Sequence, residues 1–227
     1  MVSSAAPSIF TAGLDLAEGL NLGASGPDHA RVAMSLAAHV KHIQQSFTAI
    51  EECCKPVIAA VHGPCVGGGV DMITACDVRL CAEDSWFQVK EVEVGLAADV
   101  GTLQRLPKIV GNDSIVRELC LTGRKLYAAE ALRLGMVSHV CKDRAETVAK
   151  AIELAAVMAS HSPVAVAGTK KNLNFSRDHT IAEGLEHVAN WNAFALQSVD
   201  VMTAVKAQMK RQKPTFLNLY GWGKSKL

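Results

Sequence analysis

The sequence predicts an α/β core followed by a region made of helices alone, and two observations carry this prediction. Short apolar, β-branched runs such as 57-VIAAVHG-63 are typical of strands covered on both faces, and they alternate with helical spacings up to about residue 142. From 145-AETVAKAIELAAVMASHS-162 to about Lys210, the apolar spacing is helical throughout. The sequence therefore predicts an α/β core at 1–142 and an α-helical region at 143–227.

The first predicted helix follows a loop of Gly, Pro and Asp at 22-LGASGPD-28 and ends before Lys55-Pro56. Its apolar residues recur at steps of three and four, which is one face of an amphipathic helix. These residues are Val32, Leu36, Val40, Ile43, Phe47 and Ile50. The strand at 57–63 comes next, and a glycine-rich turn then opens a short helix at 70–77.

Two further extended segments precede the helical region. The run 78-VRLCA-82 predicts a strand, whereas 86-WFQVKEVEVG-95 alternates with a period near two and predicts a strand or an extended loop. Such alternation would put Glu91 and Glu93 on the same face, so it does not choose between them. From about residue 113 the spacing is mostly helical, with a break at the short apolar stretch 136-MVSHVC-141.

Composition and charge argue against several classes of protein. A chain of 227 residues that is 49% hydrophobic and 20% charged can bury a sizeable core. Its formal net charge of +1 gives no field to steer nucleic acid or an anionic membrane, and no apolar run approaches a membrane span. Seven cysteines without a CxxC pair favour neither disulfides nor a zinc site. We therefore expect no nucleic-acid partner, no membrane span and no metal.

The stretch 63-GPCVGGGVD-71 places three glycines where a strand gives way to a helix. Unpaired amides at such a turn, near the positive end of the helix dipole, suit a phosphate or a developing oxyanion. The alternative is close packing of the helix against the strand, for which glycine is equally suited. The GxxxxGK[ST] pattern of a phosphate loop is absent, so a nucleotide has little support.

Three motifs together resemble one known family. They are 9-IFTAGLDL-16, the triple glycine followed by Asp71, and 88-QVKEVEVGLAADVGTLQRLP-107. The chain resembles the crotonase (enoyl-CoA hydratase/isomerase) superfamily over nearly its whole length, and within it the Δ3,5-Δ2,4-dienoyl-CoA isomerases of fatty acid β-oxidation. The resemblance implies a crotonase spiral of ββα turns with a helical C-terminal trimerisation region. It also implies an acyl-CoA thioester substrate, a homo-trimer or hexamer, and no cofactor, because coenzyme A is part of the substrate.

By this resemblance the thioester carbonyl would lie between the backbone amides of Leu14 and Gly68, which form an oxyanion hole. The same resemblance places the path of CoA along Gly68 and the AGLDL turn, namely Ala12, Gly13, Leu14, Asp15 and Leu16. Removing a proton beside a thioester puts charge on the carbonyl oxygen. Each preplaced donor is worth about 2.7 to 4 kcal/mol in such a transition state.

The resemblance also assigns three carboxylates to the proton transfers. Moving a 3,5-diene to the 2,4 position removes a proton at C2 and adds one at C6, so groups are needed at two separated carbons. By resemblance Glu91 is the base at C2, Asp99 is the proton donor at C6, and Asp71 tunes or relays the proton. A hydratase of this superfamily would carry Glu in place of Asp71 and a small residue in place of Asp99.

Several of these residues also have purely structural interpretations. Asp71 falls in the first turn of a predicted helix, where an acid is favourable for the dipole alone. Asp99 is suited to cap the next helix, although the small apolar residues 95–98 before it favour the protonated form of an acid. We expect the His62 ring to bond local backbone and Cys65 to act as packing.

Basic residues near the site are harder to assign. We expect Arg105 to anchor a helix start. Lys170 and Lys171 are candidates for contact with the CoA phosphates, as a basic residue from the C-terminal helices can be in the family.

The two ends of the chain carry separate expectations. The ending Ser225, Lys226 and Leu227 is of the type that the peroxisomal import receptor binds, which predicts a peroxisomal protein, with mitochondria as the family's other location. Crotonase members begin well upstream of the FTAGLDL turn, so the chain is expected to lack the N-terminal part of the fold. This expectation supports a catalytically silent subunit as one alternative. An enoyl-CoA hydratase or a Δ3-Δ2-enoyl-CoA isomerase is the alternative within the enzyme class, against which Asp71 and Asp99 argue.

Overall fold

Strands and helices alternate through the first half of the chain. The computed structural model describes residues 1–14, 26 and 28–219. In chain order the first elements are α1 (His29–Glu52), β1 (Ile58–Val61), β2 (Pro64–Val66), α2 (Gly68–Thr74), β3 (Val78–Ala82), β4 (Trp86–Gln88) and a 3₁₀ helix (Glu91–Val94). The strand predicted at 57–63 and the short helix after the glycines are both present.

Helices dominate the second half. The elements are α3 (Thr102–Val110), α4 (Asp113–Thr122), β5 (Leu126–Tyr127), α5 (Ala128–Arg133), β6 (His139–Cys141), α6 (Arg144–Ala159), α7 (Pro163–Ser176), α8 (Ile181–Ala195) and α9 (Val199–Met209). The predicted α/β core followed by helices is confirmed. The spacing predicts no strand at β5, because two residues are too few for a period to be visible.

By residue contacts the chain separates into two compact units. The first comprises Met1–Glu52 and Val57–Ala151, and the second comprises Cys53–Pro56 and Ile152–Leu227. The division after residue 142, expected from the sequence, stays a prediction. All the residues of the candidate active site that the structure describes belong to the first unit.

Two small sheets form the centre of the first unit. Strands β1, β3 and β6 are parallel, with Ala60 opposite Leu80 and Leu80 opposite His139. In the other sheet β2 pairs parallel with β4, and β4 pairs antiparallel with β5. All four residues of β1 are buried, which explains its continuous apolar sequence. The largest fully buried side chains around these sheets are Phe87, Ile58, Ile73, Leu80, Leu106, Leu126 and Met136.

Helix α1 has the amphipathic face that the spacing predicts. The six apolar positions from Val32 to Ile50 are each half-buried, and the residues between them are mostly exposed. Polar residues flank this face near the C-terminal end of the helix. Three of them, Gln44, Thr48 and Glu51, make the contacts described below.

The prediction of a strand or extended loop through residue 95 is wrong beyond Gln88. Strand β4 ends there, and the chain turns into the 3₁₀ helix at Glu91–Val94. Gly95 closes this helix in the left-handed conformation, with φ of 80°, and the Leu96 amide donates to the Glu91 carbonyl at 2.9 Å. Because only glycine adopts this conformation readily, the chain reverses here instead of continuing extended.

Candidate active site

The turn at residues 9–14 lies alongside strand β2. The amides of Phe10 and Thr11 both donate to the Pro64 carbonyl at 3.0 Å, and the Val66 amide donates to the Thr11 carbonyl at 3.2 Å. Gly13 has φ of 90°, and a methyl group added there would lie 3.0 Å from the Val66 carbonyl oxygen. The close approach and the left-handed backbone together require glycine at this position.

Gly67 and Gly68 differ in what faces them. Gly67 has φ of 54°, and a methyl group on it would lie 3.2 Å from Glu91 Oε1 and 3.9 Å from Gly13 Cα. The turn at 9–14 and the glycine turn therefore meet beside the Glu91 carboxylate. A methyl group on Gly68 would meet no atom of the described residues within 4 Å. Gly68 thus faces open space, which is where a ligand would lie.

Gly69 has a packing function. A methyl group on Gly69 would collide with Thr11 Cγ2 and would lie 3.1 Å from Cys65 Sγ. The interpretation of the glycines as a close-packing device is therefore correct for Gly69. Of the three glycines, only Gly68 faces open space, so only Gly68 is suited to contact a ligand.

The structure brings the two proposed oxyanion donors to adjoining turns. Leu14 is exposed at the end of the first turn, directly after Gly13. Gly68 is the first residue of α2, where an amide has no carbonyl partner within its own helix. Ala12 is exposed and Gly13 half-buried. Two further residues expected along the CoA path, Asp15 and Leu16, lie outside the described residues.

Asp71 is fully buried in α2. Its Oδ1 accepts a hydrogen bond of 2.6 Å from the Thr102 amide, at the start of α3, while Oδ2 has no partner among the described residues. Burial raises the pKa of this carboxyl, hydrogen bonds from Thr102 act in the opposite direction, and the charge of Asp99 raises it further. The net shift is upward, so Asp71 holds a proton more readily than an ordinary aspartate.

Glu91 begins the 3₁₀ helix and is half-buried. Its Oε1 points at Gly67, and its buried Oε2 has no partner within the described part of the chain. Burial is the main cause that raises the pKa of Glu91, and the charges of Asp71 and Asp99 raise it further. The three carboxyl groups therefore act on one another electrostatically.

Asp99 lies in the loop between the 3₁₀ helix and α3, and its side chain is exposed. The small apolar residues before it do not enclose it, contrary to the expectation from the sequence. The interpretation of Asp99 as a helix cap is also wrong, because Gly101 occupies the N-cap position of α3. Its charge nevertheless raises the pKa of Asp71 and of Glu91, so the three predicted carboxylates form one cluster.

Glu93 lies apart from this cluster. Its Oε2 pairs with Lys90 Nζ at 2.5 Å, and its Oε1 accepts from Gln88 Nε2 at 2.8 Å. The hydrogen bond and charge of Lys90 lower the pKa of Glu93. The 3₁₀ turn thus separates Glu91 from Glu93, which an extended segment would have placed on one face.

Gln88 and Gly123 contribute to the site in a way that the sequence does not reveal. Gln88 is buried and donates from Nε2 to the Gly123 carbonyl at 2.6 Å as well as to Glu93. This pair of bonds holds the 3₁₀ helix against the end of α4. The only sequence signal for this role is a glutamine at the end of a short predicted strand. Glutamines are common at such positions, so the signal does not identify Gly123 or Glu93 as the partner.

The remaining candidate residues have structural partners. His62 is buried, and its Nε2 donates to the Ala6 carbonyl at 2.8 Å. The ring therefore bonds backbone as expected, but this backbone lies 56 positions away and is not local. Cys65 is fully buried, and burial together with the charge of Asp71 raises the pKa of its thiol. Arg105 bonds Glu51 and Thr48 on α1 and lies over Gly101, so it anchors the start of α3 as expected.

In the second unit, Lys170 is buried and donates to the Lys55 carbonyl at 3.2 Å. Lys171 lies 5.1 Å from the centre of the Trp191 ring. Neither contact identifies a phosphate site. Within the part of the chain that the structure describes, no three or more His, Cys, Asp or Glu side chains are arranged to hold a metal ion. In the same residues no single helix is long and apolar enough to cross a membrane, although the bent pair α6 and α7 meets those criteria jointly.

Comparison with known proteins gives a consistent result. The sequence profile of the family described as Enoyl-CoA hydratase/isomerase matches residues 1–218. The chain is 52% identical over 215 residues to a Homo sapiens protein named Delta(3,5)-Delta(2,4)-dienoyl-CoA isomerase, mitochondrial, a match that covers 94% of the chain and 66% of that protein. It is 45% identical over 222 residues to the Arabidopsis thaliana protein named Delta(3,5)-Delta(2,4)-dienoyl-CoA isomerase, peroxisomal, covering 96% and 80%. The chain thus spans just under two thirds of the human relative's length.

Solved structures agree on the fold. The enoyl-CoA hydratase of Bacillus anthracis superposes with a TM-score of 0.83 at 28% identity, covering 94% of this chain and 79% of that one. The expected crotonase fold is thereby confirmed. On the profile, the sequence relatives and the fold together, the chain belongs to the enoyl-CoA hydratase/isomerase family.

Proposed function

We propose that the chain converts 3,5-dienoyl-CoA thioesters into 2,4-dienoyl-CoA thioesters by a proton shift from C2 to C6. One observation carries the proposal, namely that Asp71, Glu91 and Asp99 are coupled electrostatically beside the glycine turn in which Gly68 faces open space. The dienoyl-CoA isomerase names of the Homo sapiens and Arabidopsis thaliana relatives support the same reaction.

In the proposed reaction Glu91 takes a proton from C2, and the electron pair of that C–H bond is delocalised onto the thioester oxygen as a dienolate. Collapse of the dienolate restores the thioester carbonyl and forms the C2–C3 double bond. The former C3–C4 pair moves to C4–C5, and the former C5–C6 pair takes a proton from Asp99 at C6. The product is an isomer of the substrate, with Glu91 now protonated and Asp99 ionised. Return of one proton, directly or through solvent, resets both groups, so no redox cofactor or metal is required.

The oxyanion donors of this proposal are the amides of Leu14 and Gly68. Charge on the thioester oxygen develops as the C2 proton leaves, and two preplaced amides would stabilise it by about 2.7 to 4 kcal/mol each. The Val66 amide bonds the Thr11 carbonyl, and a methyl group on Gly13 would lie only 3.0 Å from the Val66 carbonyl oxygen, so the two turns lie close together. The CoA portion would follow residues 12–16, as the family resemblance implies.

Asp71 would modulate the other two carboxyl groups without contacting the reacting carbons. It is fully buried, and its negative charge is one of the causes that raise the pKa of Glu91. A base with a raised pKa is a stronger acceptor for a weakly acidic C–H proton. Because Asp71 itself binds a proton readily, it is also placed to relay one within the cluster.

The proposal extends to assembly and location. We expect a homo-trimer or hexamer formed through the C-terminal helices. We also expect peroxisomal import through Ser225, Lys226 and Leu227, which lie outside the described residues. The relative from Arabidopsis thaliana is named as peroxisomal and the one from Homo sapiens as mitochondrial, so mitochondria are the alternative compartment.

A second candidate function is hydration of 2-enoyl-CoA, which the similarity to the Bacillus anthracis hydratase favours. Hydration adds water across one double bond and does not need a proton donor at C6. The aspartates at positions 71 and 99 distinguish the two candidates, because a hydratase is expected to carry Glu and a small residue there.

The test is a spectrophotometric assay with 3,5-octadienoyl-CoA that follows formation of the conjugated 2,4-dienoyl thioester. We expect turnover by the parent chain and loss of turnover in Asp99→Asn, with CoA binding retained. Hydration of 2-enoyl-CoA without isomerisation would support the second candidate. A folded parent chain that binds CoA and catalyses neither reaction would contradict the proposal and indicate a catalytically silent subunit.

A further inference from the structure

The loop that carries Asp99 has few backbone hydrogen bonds of its own. Residues 96–101 belong to no helix or strand, and the loop lies between two glycines in unusual conformations, Gly95 with φ of 80° and Gly101 with φ of 135°. The Leu96 amide bonds the Glu91 carbonyl at the start of the loop. At the end of the loop the Gln104 and Arg105 amides donate to the Gly101 carbonyl at 3.2 and 3.0 Å. Between these two ends, the hydrogen bonds that the structure describes to the loop come from side chains.

Helix α1 acts on the loop through three polar side chains on one face, one of them directly and two through Arg105. Gln44, Thr48 and Glu51 are four and three residues apart, which places them in a row along the helix. Gln44 Nε2 donates directly to the Asp99 carbonyl at 2.6 Å. The other two residues of the row act on the loop through Arg105.

Arg105 connects α1 to the end of the loop. Its Nε donates to Glu51 Oε2 at 2.8 Å, and one terminal nitrogen donates to Thr48 Oγ1 at 3.1 Å. The guanidinium lies against Gly101, where a methyl group would collide with it, and its other terminal nitrogen is 3.5 Å from the Val100 carbonyl. The side chains of Arg105 and Glu51 are only 12% and 22% exposed, so this ion pair is partly shielded from water.

Glu91 is held by a different set of contacts. Gln88 ties the 3₁₀ helix to Gly123 through the bonds described above, whereas Gln44 and Glu51 on α1 bond the Asp99 carbonyl and Arg105. Glu91, the base of the proposed reaction, and Asp99, the acid, are therefore held by different side chains, and substitutions can weaken one set of contacts without removing the other.

We propose that the row of Gln44, Thr48 and Glu51 on α1, with Arg105, positions Asp99 for proton delivery at C6. The catalytic meaning of this inference rests on the proposed function. An exposed aspartate has its own rotamer freedom, so the location of its backbone decides whether the carboxyl reaches the substrate. Gln44 and Arg105 are positioning residues that act through Asp99 and do not touch the reacting atoms.

The first test compares Gln44→Met with Gln45→Met by amide hydrogen exchange and mass spectrometry of the free protein. Methionine keeps the length of glutamine but donates no hydrogen bond, and Gln45 is exposed on the same helix, which makes it a matched control. The amides at the two ends of the loop are hydrogen-bonded, Leu96 to the Glu91 carbonyl and Thr102 to Asp71 Oδ1. We expect these two amides to exchange about five- to tenfold faster in Gln44→Met than in the control, with the amides of residues 91–94 unchanged. Equal exchange in the two variants would overturn the proposal, whatever the activity of the protein.

The second test separates the two proton transfers in D₂O. With 3,5-octadienoyl-CoA, we expect kcat for isomerisation by Gln44→Met to fall about 10- to 100-fold, with KM and deuterium incorporation at C2 close to the control. Equal losses of isomerisation and of C2 exchange would overturn the positioning role, because they would indicate general damage to the site. Absence of turnover in the parent chain would instead contradict the proposed function, and amide exchange would still decide whether α1 holds the loop.

Arg105→Lys provides an independent variant for both tests. Lysine keeps the positive charge but lacks the planar fork that bonds Thr48 and Glu51 together. We expect the same result as for Gln44→Met, namely faster exchange of the Leu96 and Thr102 amides and loss of isomerisation without loss of C2 exchange. Retained isomerisation and unchanged loop exchange in Arg105→Lys would remove Arg105 from the proposal.

Discussion

The two sides of the candidate site are held in place by different means. The packed side consists of Gly69, Asp71 and Thr102, all of which are buried. The turn side consists of the 3₁₀ helix at 91–94 and the loop at 95–101, most of whose residues are exposed. Packing fixes the first side, whereas a few side-chain hydrogen bonds fix the second.

Because of this difference, we expect substitutions on the two sides of the site to affect different properties of the protein. Substitutions on the packed side change a close-packed volume or a buried charge, so they should alter the free energy of unfolding or the pKa values of neighbouring groups. Substitutions on the turn side remove few buried contacts. They should alter rates while leaving the free energy of unfolding nearly constant.

The largest effect is expected from Glu91→Gln on the turn side. Loss of the proposed base should lower kcat for isomerisation by about 10²- to 10⁴-fold and should lower deuterium exchange at C2 in parallel. Glu93→Gln is the matched control, because Glu93 pairs with Lys90 outside the carboxylate cluster. Equal losses in the two variants, measured by steady-state kinetics, would contradict the assignment of the base.

Gly69→Ala should have the largest effect on stability, because the new methyl group would collide with Thr11 Cγ2. We expect a loss of about 1–3 kcal/mol in the free energy of unfolding, measured with urea. Gly68→Ala is the control and should unfold like the parent, since Gly68 faces open space.

Thr11→Ser should restore the stability of Gly69→Ala. Serine lacks Cγ2 but keeps the hydroxyl oxygen that accepts the Gly13 amide at 3.1 Å. If Gly68→Ala and Gly69→Ala unfold alike, or if Thr11→Ser fails to restore stability, the packing account of Gly69 is wrong.

Asp71→Asn should change the pH dependence of catalysis. Burial is the main cause of the raised pKa of Glu91, and the charge of Asp71 is the next electrostatic contribution. Removing that charge lowers the pKa of Glu91, so the acid limb of kcat/KM, where the base becomes protonated, should move to lower pH. A shift to higher pH would contradict the electrostatic coupling of the two groups.

The same variant should also change the pH dependence of stability. The pKa of Asp71 is raised in the folded protein, so its contribution to stability is fully present below the unfolded pKa and is lost as pH rises through the folded pKa. Asp71→Asn should therefore be more stable than the parent above that range and similar to it in acid. The thermal midpoint measured across pH decides this, and a parent that is more stable at neutral pH would contradict it.

The smallest effect is expected from Lys90→Ala. Its ion pair with Glu93 is solvent-exposed, with side chains 42% and 40% accessible, so the free energy of unfolding should stay close to that of the parent. A larger loss, measured with urea, would mean that this pair supports the 3₁₀ helix together with Gln88.

Motifs in the sequence predict most of the packed side. The triple glycine followed by Asp71 indicates a tight turn and a helix start, and both are found. Sequence patterns do not predict which glycine packs and which faces open space, because that depends on Thr11, whose neighbour in space is more than fifty positions away. Apolar spacing likewise predicts the half-buried face of α1 but not the hydrogen bonds made by the polar residues beside that face.

Sequence patterns predict less of the turn side. Periodicity near two suggests extended structure at 86–95, which would place Glu91 and Glu93 on the same face. In the structure the 3₁₀ helix that Gly95 closes directs the two carboxylates to different surroundings. The hydrogen bond from Gln44 to the Asp99 carbonyl joins residues far apart in the chain and leaves no trace in local spacing. Asp15, Leu16 and the C-terminal tripeptide lie outside the described residues, so these expectations stay predictions.

The most direct test of the central claim is deuterium incorporation at C2 of 3,5-octadienoyl-CoA in D₂O by Asp99→Asn. If Glu91 and Asp99 serve two separate carbons, this variant should lose formation of the 2,4-diene yet continue to exchange the C2 protons at a rate near the parent's. Loss of C2 exchange together with isomerisation would contradict the account, because it would mean that Asp99 is needed to remove the proton as well as to deliver one.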